Sequence, residues 1–206
     1  MKTSVGIVDY GMGNLRSVRN AIEMLGGSAS VVSSPGELAK FDRAILPGVG
    51  AFGDAMANLE RAGWPEALSE HSLGKKKPFF GICLGMQLLA AKGTEHGERS
   101  GLGWFKGTVR MLERPAPHRV PHMGWNGVRA LRSNGLLSKL AGDATCYFVH
   151  SFAFEAEDAS DVSGVTEYGG IEFTSVIERE NVVATQFHPE KSQKHGLALL
   201  SRFLER

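Results

Sequence analysis

An α/β fold with an open, mostly parallel sheet flanked by helices is what this sequence predicts, on three observations. Short apolar runs alternate with segments of helical apolar spacing through the first half; this βαβα order sets strands parallel and puts helices on both faces of a sheet. Glycines gather directly after several of those runs, where strand must turn into helix. The second half changes to short strand-like runs joined by tight turns, which adds antiparallel strands late in the chain. With 206 residues and no repeat, low-complexity segment or long linker, residues 1–206 are expected to form a single domain.

Each element has its own signal. Ser4-Val5-Gly6-Ile7-Val8 reads as a buried strand. Leu15, Val18, Ile22 and Leu25 recur at helical spacing, and Gly26-Gly27 closes that helix. Ser30-Val31-Val32 is a second strand, and Ser34-Pro35 opens a short helix. Arg43-Ala44-Ile45-Leu46 is a third strand, leading into Pro47-Gly48-Val49-Gly50. Helical segments are expected over roughly 54–71, a fourth strand at Pro78-Phe79-Phe80-Gly81-Ile82, and a helix over 84–91. Later strands are expected at 109–112, 127–131 and 146–149. Gly169-Gly170 turns a hairpin, Glu180-Asn181 turns the next, and an amphipathic helix over 193–204 ends the chain.

Composition removes several classes of function. Hydrophobic content is 42% and charged content 22%, ordinary for a globular chain. A formal net charge of +1 leaves no footprint for nucleic acid or an anionic membrane, and Lys75-Lys76-Lys77 is one short basic run. Two cysteines, Cys83 and Cys146, do not make a disulfide framework. The start reaches Asp9 before an apolar signal segment forms, and no apolar run has bilayer length. A cytoplasmic location is expected. No cofactor motif or metal cluster is evident.

The stretch Gly81-Ile82-Cys83-Leu84-Gly85 carries the chemistry. It is the cysteine version of the G-x-S-x-G elbow, in which a nucleophile sits on a tight strand-to-helix turn. A helix N-terminus there favours thiolate, and the Leu84 N–H is available to an oxyanion. A cysteine nucleophile needs a base, and Gln186-Phe187-His188-Pro189-Glu190 offers one at a strand end. Residues two apart in extended chain face one side, so Glu190 is expected to orient His188. Pro47-Gly48-Val49-Gly50 ends a neighbouring strand and frees a backbone N–H for a substrate oxygen. In an open parallel sheet these strand ends share one crevice.

Gly-Ile-Cys-Leu-Gly-Met-Gln together with Phe-His-Pro-Glu-Lys-Ser resembles the class I, triad-type glutamine amidotransferases, a family with a flavodoxin-like fold. Asp9-Tyr10-Gly11-Met12-Gly13-Asn14, Pro47-Gly48-Val49-Gly50 and Pro121-His122-Met123-Gly124-Trp125-Asn126 narrow the resemblance to the glutaminase subunits of imidazole glycerol phosphate synthases. It runs from Ile7 to the last helix. The resemblance implies Cys83 as nucleophile, His188 as acid and base, and Glu190 as orienting group. It implies Leu84 and the Gly48-Val49 peptide as oxyanion donors, and Gly50, Gln87, Glu95 and Ser151 around the glutamine. It implies hydrolysis of L-glutamine, with ammonia passed to a (β/α)8-barrel cyclase subunit in a heterodimer. Asn14, Arg119, His122, Met123, Trp125, Asn126, Tyr147 and Lys191 would face that partner, and 121–126 reads as an exposed loop. The Gly48-Val49 peptide is expected to rotate when the partner is liganded. The family often has tyrosine where this chain has Phe152, so a contact there must run through backbone or ring face.

Other readings fit less of the chain. A pyridoxal phosphate synthase glutaminase or a cysteine peptidase shares the elbow but not Phe-His-Pro-Glu-Lys-Ser with Pro-His-Met-Gly-Trp-Asn. A dinucleotide site at Gly11 and Gly13 lacks its third glycine, because Arg16 stands there. A catalytically silent binding subunit has no support while Cys83, His188 and Glu190 are all present.

Overall fold

The structure, a computed structural model, describes residues 3–113, 119–138 and 144–206. The first half alternates as expected: β1 Ser4–Val8, α1 Leu15–Met24, β2 Ser28–Val32, β3 Arg43–Gly48, α2 Phe52–Arg61, α3 Trp64–Ser69, β4 Phe79–Cys83 and α4 Leu84–Gln87. Then come β5 Ala90–Gly93, β6 Arg99–Ser100, β7 Phe105–Met111, β8 His122–Ala130, β9 Ala144–His150 and β10 Phe152–Ala156. The hairpin strands β11 Val162–Tyr168 and β12 Ile171–Arg179, then β13 Val182–Thr185 and α5 Gln193–Glu205, complete the chain.

Nine strands form one mixed sheet in the order β2-β1-β3-β4-β13-β12-β11-β8-β9. The half from β2 to β13 is parallel, and the half from β13 to β9 is antiparallel. The late strand β13 therefore inserts beside β4, pairing Ile82 with Thr185. Alternation along the strands divides the core. Leu46, Phe79 and Ala184 pack with Phe52, Leu59, Trp64 and Leu68 of α2 and α3. Ile45, Phe80 and Val183 face the other way, onto Val18 and Ile22 of α1 and Leu199 and Phe203 of α5. A second sheet, β10-β7-β5-β6, lies in the first of these layers through Phe105, Val109 and Phe154.

The helical segments foreseen over 54–71 are α2 and α3, parted at Gly63, which takes φ +74°. Two expectations change. The helix foreseen over 84–91 is a single turn. The carbonyls of Leu88, Leu89 and Ala90 accept from Leu102, Phe105 and Gly103 instead of continuing the helix, so tertiary pairing overrides propensity. The segment over 121–126 is not a loop, because β8 begins at His122 and pairs with β9.

Glycine is a steric requirement where α4 crosses β3. A Cβ on Gly85 would lie 1.8 Å from the Leu46 carbonyl oxygen, an atom of a central strand that cannot withdraw. Gly85→Ala is expected to cost about 3 kcal/mol, the upper end of overpacking effects, read as a lowered midpoint in urea unfolding. A wild-type midpoint would contradict that packing.

Candidate active site

β4 ends on Cys83, whose backbone is turned to φ +55° and ψ −108° before α4 starts. A non-glycine residue there carries strain, which persists only when the surroundings enforce it. Gly81 and Gly85 are what enforce it. A Cβ on Gly81 would lie 2.8 Å from the Gly85 carbonyl oxygen and 2.9 Å from Ala184 Cβ. The turn closes on itself so tightly that neither flank has room for a side chain. The thiol is thereby lifted to the end of the sheet while Cys83 stays only 6% exposed. With α4 reduced to four residues, little macrodipole remains behind the sulfur. What the turn offers is the uncapped backbone N–H groups at its start.

Parallel pairing puts the other groups at the same sheet edge. Gly48 is the register partner of Cys83 across β3 and β4. On the other side β13 runs out through Gln186 and Phe187 to His188. His188 Nδ1 and Glu190 Oε1 are 2.8 Å apart, with side chains only 2% and 1% exposed. Glu190 reaches the ring through a 3-10 turn over Pro189–Lys191, not through strand alternation. The turn is anchored: Ser192 Oγ donates to the His188 carbonyl at 2.6 Å, and the His188 N–H donates to the Tyr147 carbonyl at 3.0 Å. Burial works against charge on the ring, but Cys83 and Glu190 beside it prevail and push the His188 pKa up to about 10. Among the described residues its buried Nε2 has no hydrogen-bond partner, which leaves it for a reacting group.

A cavity of about 500 Å³ opens over the elbow. Its lining brings Cys83 and Leu84 together with Val49, Gly50, Gln87, Glu95 and Ser151, along with Ala51, Pro121, Val149, His150 and Phe152. Gly48 lies beneath it, where a Cβ would come within 2.4 Å of the Tyr10 hydroxyl. Glu95 is tied to the start of α2, with Oε2 accepting from the Phe52 N–H at 2.8 Å. Gln87 donates from Nε2 to the Phe152 carbonyl at 2.8 Å. Phe152 thus participates through its backbone, for which the missing tyrosine hydroxyl is irrelevant.

The family model for glutamine amidotransferase class-I matches residues 6–206. The chain belongs to this family. This amidotransferase is 48% identical over 199 residues to the imidazole glycerol phosphate synthase subunit HisH of Desulfitobacterium hafniense (strain DSM 10664 / DCB-2), covering 97% of this chain and 92% of that one. It is 50% identical over 198 residues to the HisH subunit of Aquifex aeolicus (strain VF5), covering 96% and 94%. Among solved structures, PurLQS from Thermotoga maritima superposes with a TM-score of 0.79 at 20% identity, over 100% of this chain and 99% of that one. A crystal structure of a glutamine amidotransferase superposes with a TM-score of 0.74 at 23% identity, over 98% and 97%. At these identities the superpositions speak for the fold alone.

The residues expected at a partner surface divide. On the amidotransferase β8, Met123 is 63% and Trp125 50% exposed, on one face of the strand. Tyr147 pairs opposite Trp125 with ring centroids 6.1 Å apart, and Lys191 Nζ lies 5.8 Å from the Tyr147 ring centre. Asn14 and Arg119 are exposed too; Asn14 caps α1 by accepting from the Ser17 N–H at 3.3 Å. His122 corrects the expectation, because its side chain is 2% exposed. It points to the opposite face of β8 and stacks between Phe148 and Tyr168. Asn126 shares that face, donating to the Glu167 carbonyl at 2.8 Å. Period-two alternation separates His122 from Met123 once the segment is strand. Sequence reasoning also misses His150, which lines the cavity, and Gln186, which meets Cys83. Gln186 sits two residues before His188, so the same alternation is a signal for it.

Proposed function

We propose that this amidotransferase is the glutaminase subunit of an imidazole glycerol phosphate synthase. It hydrolyses L-glutamine and passes ammonia to a (β/α)8-barrel cyclase subunit in a heterodimer, in the cytoplasm. The cyclase would then make imidazole glycerol phosphate and aminoimidazole carboxamide ribonucleotide. The observation that carries the glutaminase chemistry is the strained Cys83 with the buried His188–Glu190 pair beside it. The HisH relatives, matched over nearly their full length, support the assembly. Exposed Met123, Trp125 and Lys191, with half-buried Tyr147 between them, supply an aromatic and cationic face of the composition that interfaces favour.

The steps follow from the geometry. A protonated imidazole beside a thiol favours the thiolate, which is the attacking species. The sulfur adds to the carboxamide carbon, and the negative oxygen is met by the Leu84 N–H and by a peptide N–H of the Gly48-Val49 segment. Losing one such donor typically costs about 100- to 1,000-fold in rate. His188 gives its proton to the departing nitrogen, ammonia leaves, and a thioester remains. The thioester no longer carries the sulfur charge that held the ring protonated. His188 is then free to take a proton from water, which attacks the thioester and releases glutamate and the thiolate. Glu190 keeps Nδ1 in place, so Nε2 does the proton transfer in both halves. Gly50, Gln87, Glu95 and Ser151 line the cavity that would hold the amino acid.

A diazoketone analogue of glutamine tests the site assignment. The expected result is one covalent adduct per chain, found on the peptide bearing Cys83 and suppressed by excess glutamine. Labelling elsewhere, or labelling that glutamine does not protect, would contradict it.

A further inference from the structure

Gln186 has no part in the steps above, yet its amide meets the nucleophile. It follows β13 and is fully buried, with Nε2 3.6 Å from Cys83 Sγ. Which end of an amide faces a sulfur is decided by its other hydrogen bonds. Here one backbone carbonyl decides it. Phe152 O accepts and cannot donate, so the Gln87 atom 2.8 Å away is Nε2. The same Gln87 nitrogen meets Gln186 at 3.0 Å, so Gln186 presents Oε1 there. Its own Nε2 is thereby left for the sulfur. The carbonyl is held from a second side as well, accepting from His150 Nδ1 at 2.9 Å. With that hydrogen on Nδ1, the neutral His150 ring accepts at Nε2, where His122 Nδ1 lies 3.0 Å away.

We propose that Gln186 is a further catalytic residue, donating from Nε2 to the Cys83 sulfur through an array whose direction the Phe152 carbonyl sets. This rests on the glutaminase reading, in which Cys83 is the nucleophile. The amide stabilises negative sulfur twice: before attack, and when the thioester collapses and sulfur leaves with its electron pair. Gln186 transfers no proton; His188 carries it throughout. The donor matters here because α4 is one turn long and lends the sulfur little dipole. A hydrogen bond to a charged acceptor is strong enough to shift reactivity by about 10- to 100-fold.

The test is the pH dependence of Cys83 alkylation by iodoacetamide, with kcat and KM for glutamine measured on the same preparations. Cys146 does not interfere, being fully buried with its thiol pushed up to about 12 by that burial. Gln186→Glu keeps the volume and the acceptor toward Gln87 but sets a carboxylate oxygen against the sulfur. Gln186→Leu removes the donor to sulfur together with the acceptor toward Gln87, and adds no charge. Both are expected to move the alkylation profile to higher pH, Glu further than Leu, and to lower kcat about 10- to 100-fold with KM unchanged. A folded Gln186→Glu chain with the wild-type profile would overturn the proposal. Should both variants unfold, the unmodified chain decides. Its Gln186 side-chain amide proton resonance should move as Cys83 titrates, and stay still in Cys83→Ala; a resonance that never moves counts against the bond. If the wild-type chain itself releases no glutamate, the glutaminase reading fails instead, and the two failures are told apart.

Discussion

Cys83→Ala is expected to remove glutamate release almost entirely, by about 10⁴-fold or more, while the fold and partner binding persist. The magnitude follows from what the side chain does. Covalent attack is lost outright, and only binding and oxyanion stabilisation remain. The fold is expected to survive because the strain at φ +55° is imposed by backbone packing around Gly81 and Gly85, not by the thiol. Alanine fits the space of a residue that is 6% exposed and adds no atoms. Glutamate assays with circular dichroism on one preparation check both halves. Residual turnover within tenfold of wild type would mean that water attacks glutamine directly and that Cys83 is a packing residue.

His188→Asn is expected to cost nearly as much, again about 10⁴-fold in kcat, because one ring serves both halves of the reaction. With its pKa pushed up to about 10, His188 carries its second proton at neutral pH and is ready to protonate the departing nitrogen. Asparagine supplies no such proton and takes none from water. The two losses should not add. A chain carrying both substitutions is expected to be no slower than the worse single variant, since the residues act as a unit. Additive losses in a double-mutant cycle would show that the two work in separate steps. Glu190→Gln belongs to the same cycle with a smaller loss, because it disturbs the ring's orientation and charge without removing it.

Much of the fold and of the site is legible in the amino-acid sequence, for a physical reason. The elbow advertises itself because a close turn cannot tolerate side chains, so glycine must flank the cysteine. The central parallel strands β1, β3 and β4 are legible because their buried runs are short and dominated by apolar residues. What escapes is set by distant pairing. Nothing local to residues 84–91 announces that the carbonyls of Leu88, Leu89 and Ala90 are claimed by backbone donors of residues 102–105. β5 is thus a consequence of tertiary structure. β13 inserts next to β4 although about a hundred residues of chain, including the antiparallel strands, lie between them. His122 falls on the opposite face from the one expected, because the Pro121 segment looks like a loop and only pairing with β9 reveals its alternation. Glu190 meets His188 by a different route, since Pro189 starts a 3-10 turn where extended chain is expected. Gln186 stands in plain view within Gln-Phe-His-Pro-Glu, but an amide shows its role only when its partners are in place.

Coupling between this active site and a partner is the central claim, and one assay bears on it most directly. Glutamate release is measured with the chain alone, with the barrel cyclase added, and with cyclase plus its open-chain acceptor ribonucleotide. The expected result is slow release alone and a rise of about 100-fold or more in the liganded complex, the size expected when one oxyanion donor comes into position. That rise should vanish in Cys83→Ala. Equal rates in all three conditions would contradict the coupling: the glutaminase would stand, but the Gly48-Val49 peptide would be in place from the start and the proposed partner would have no hold on it.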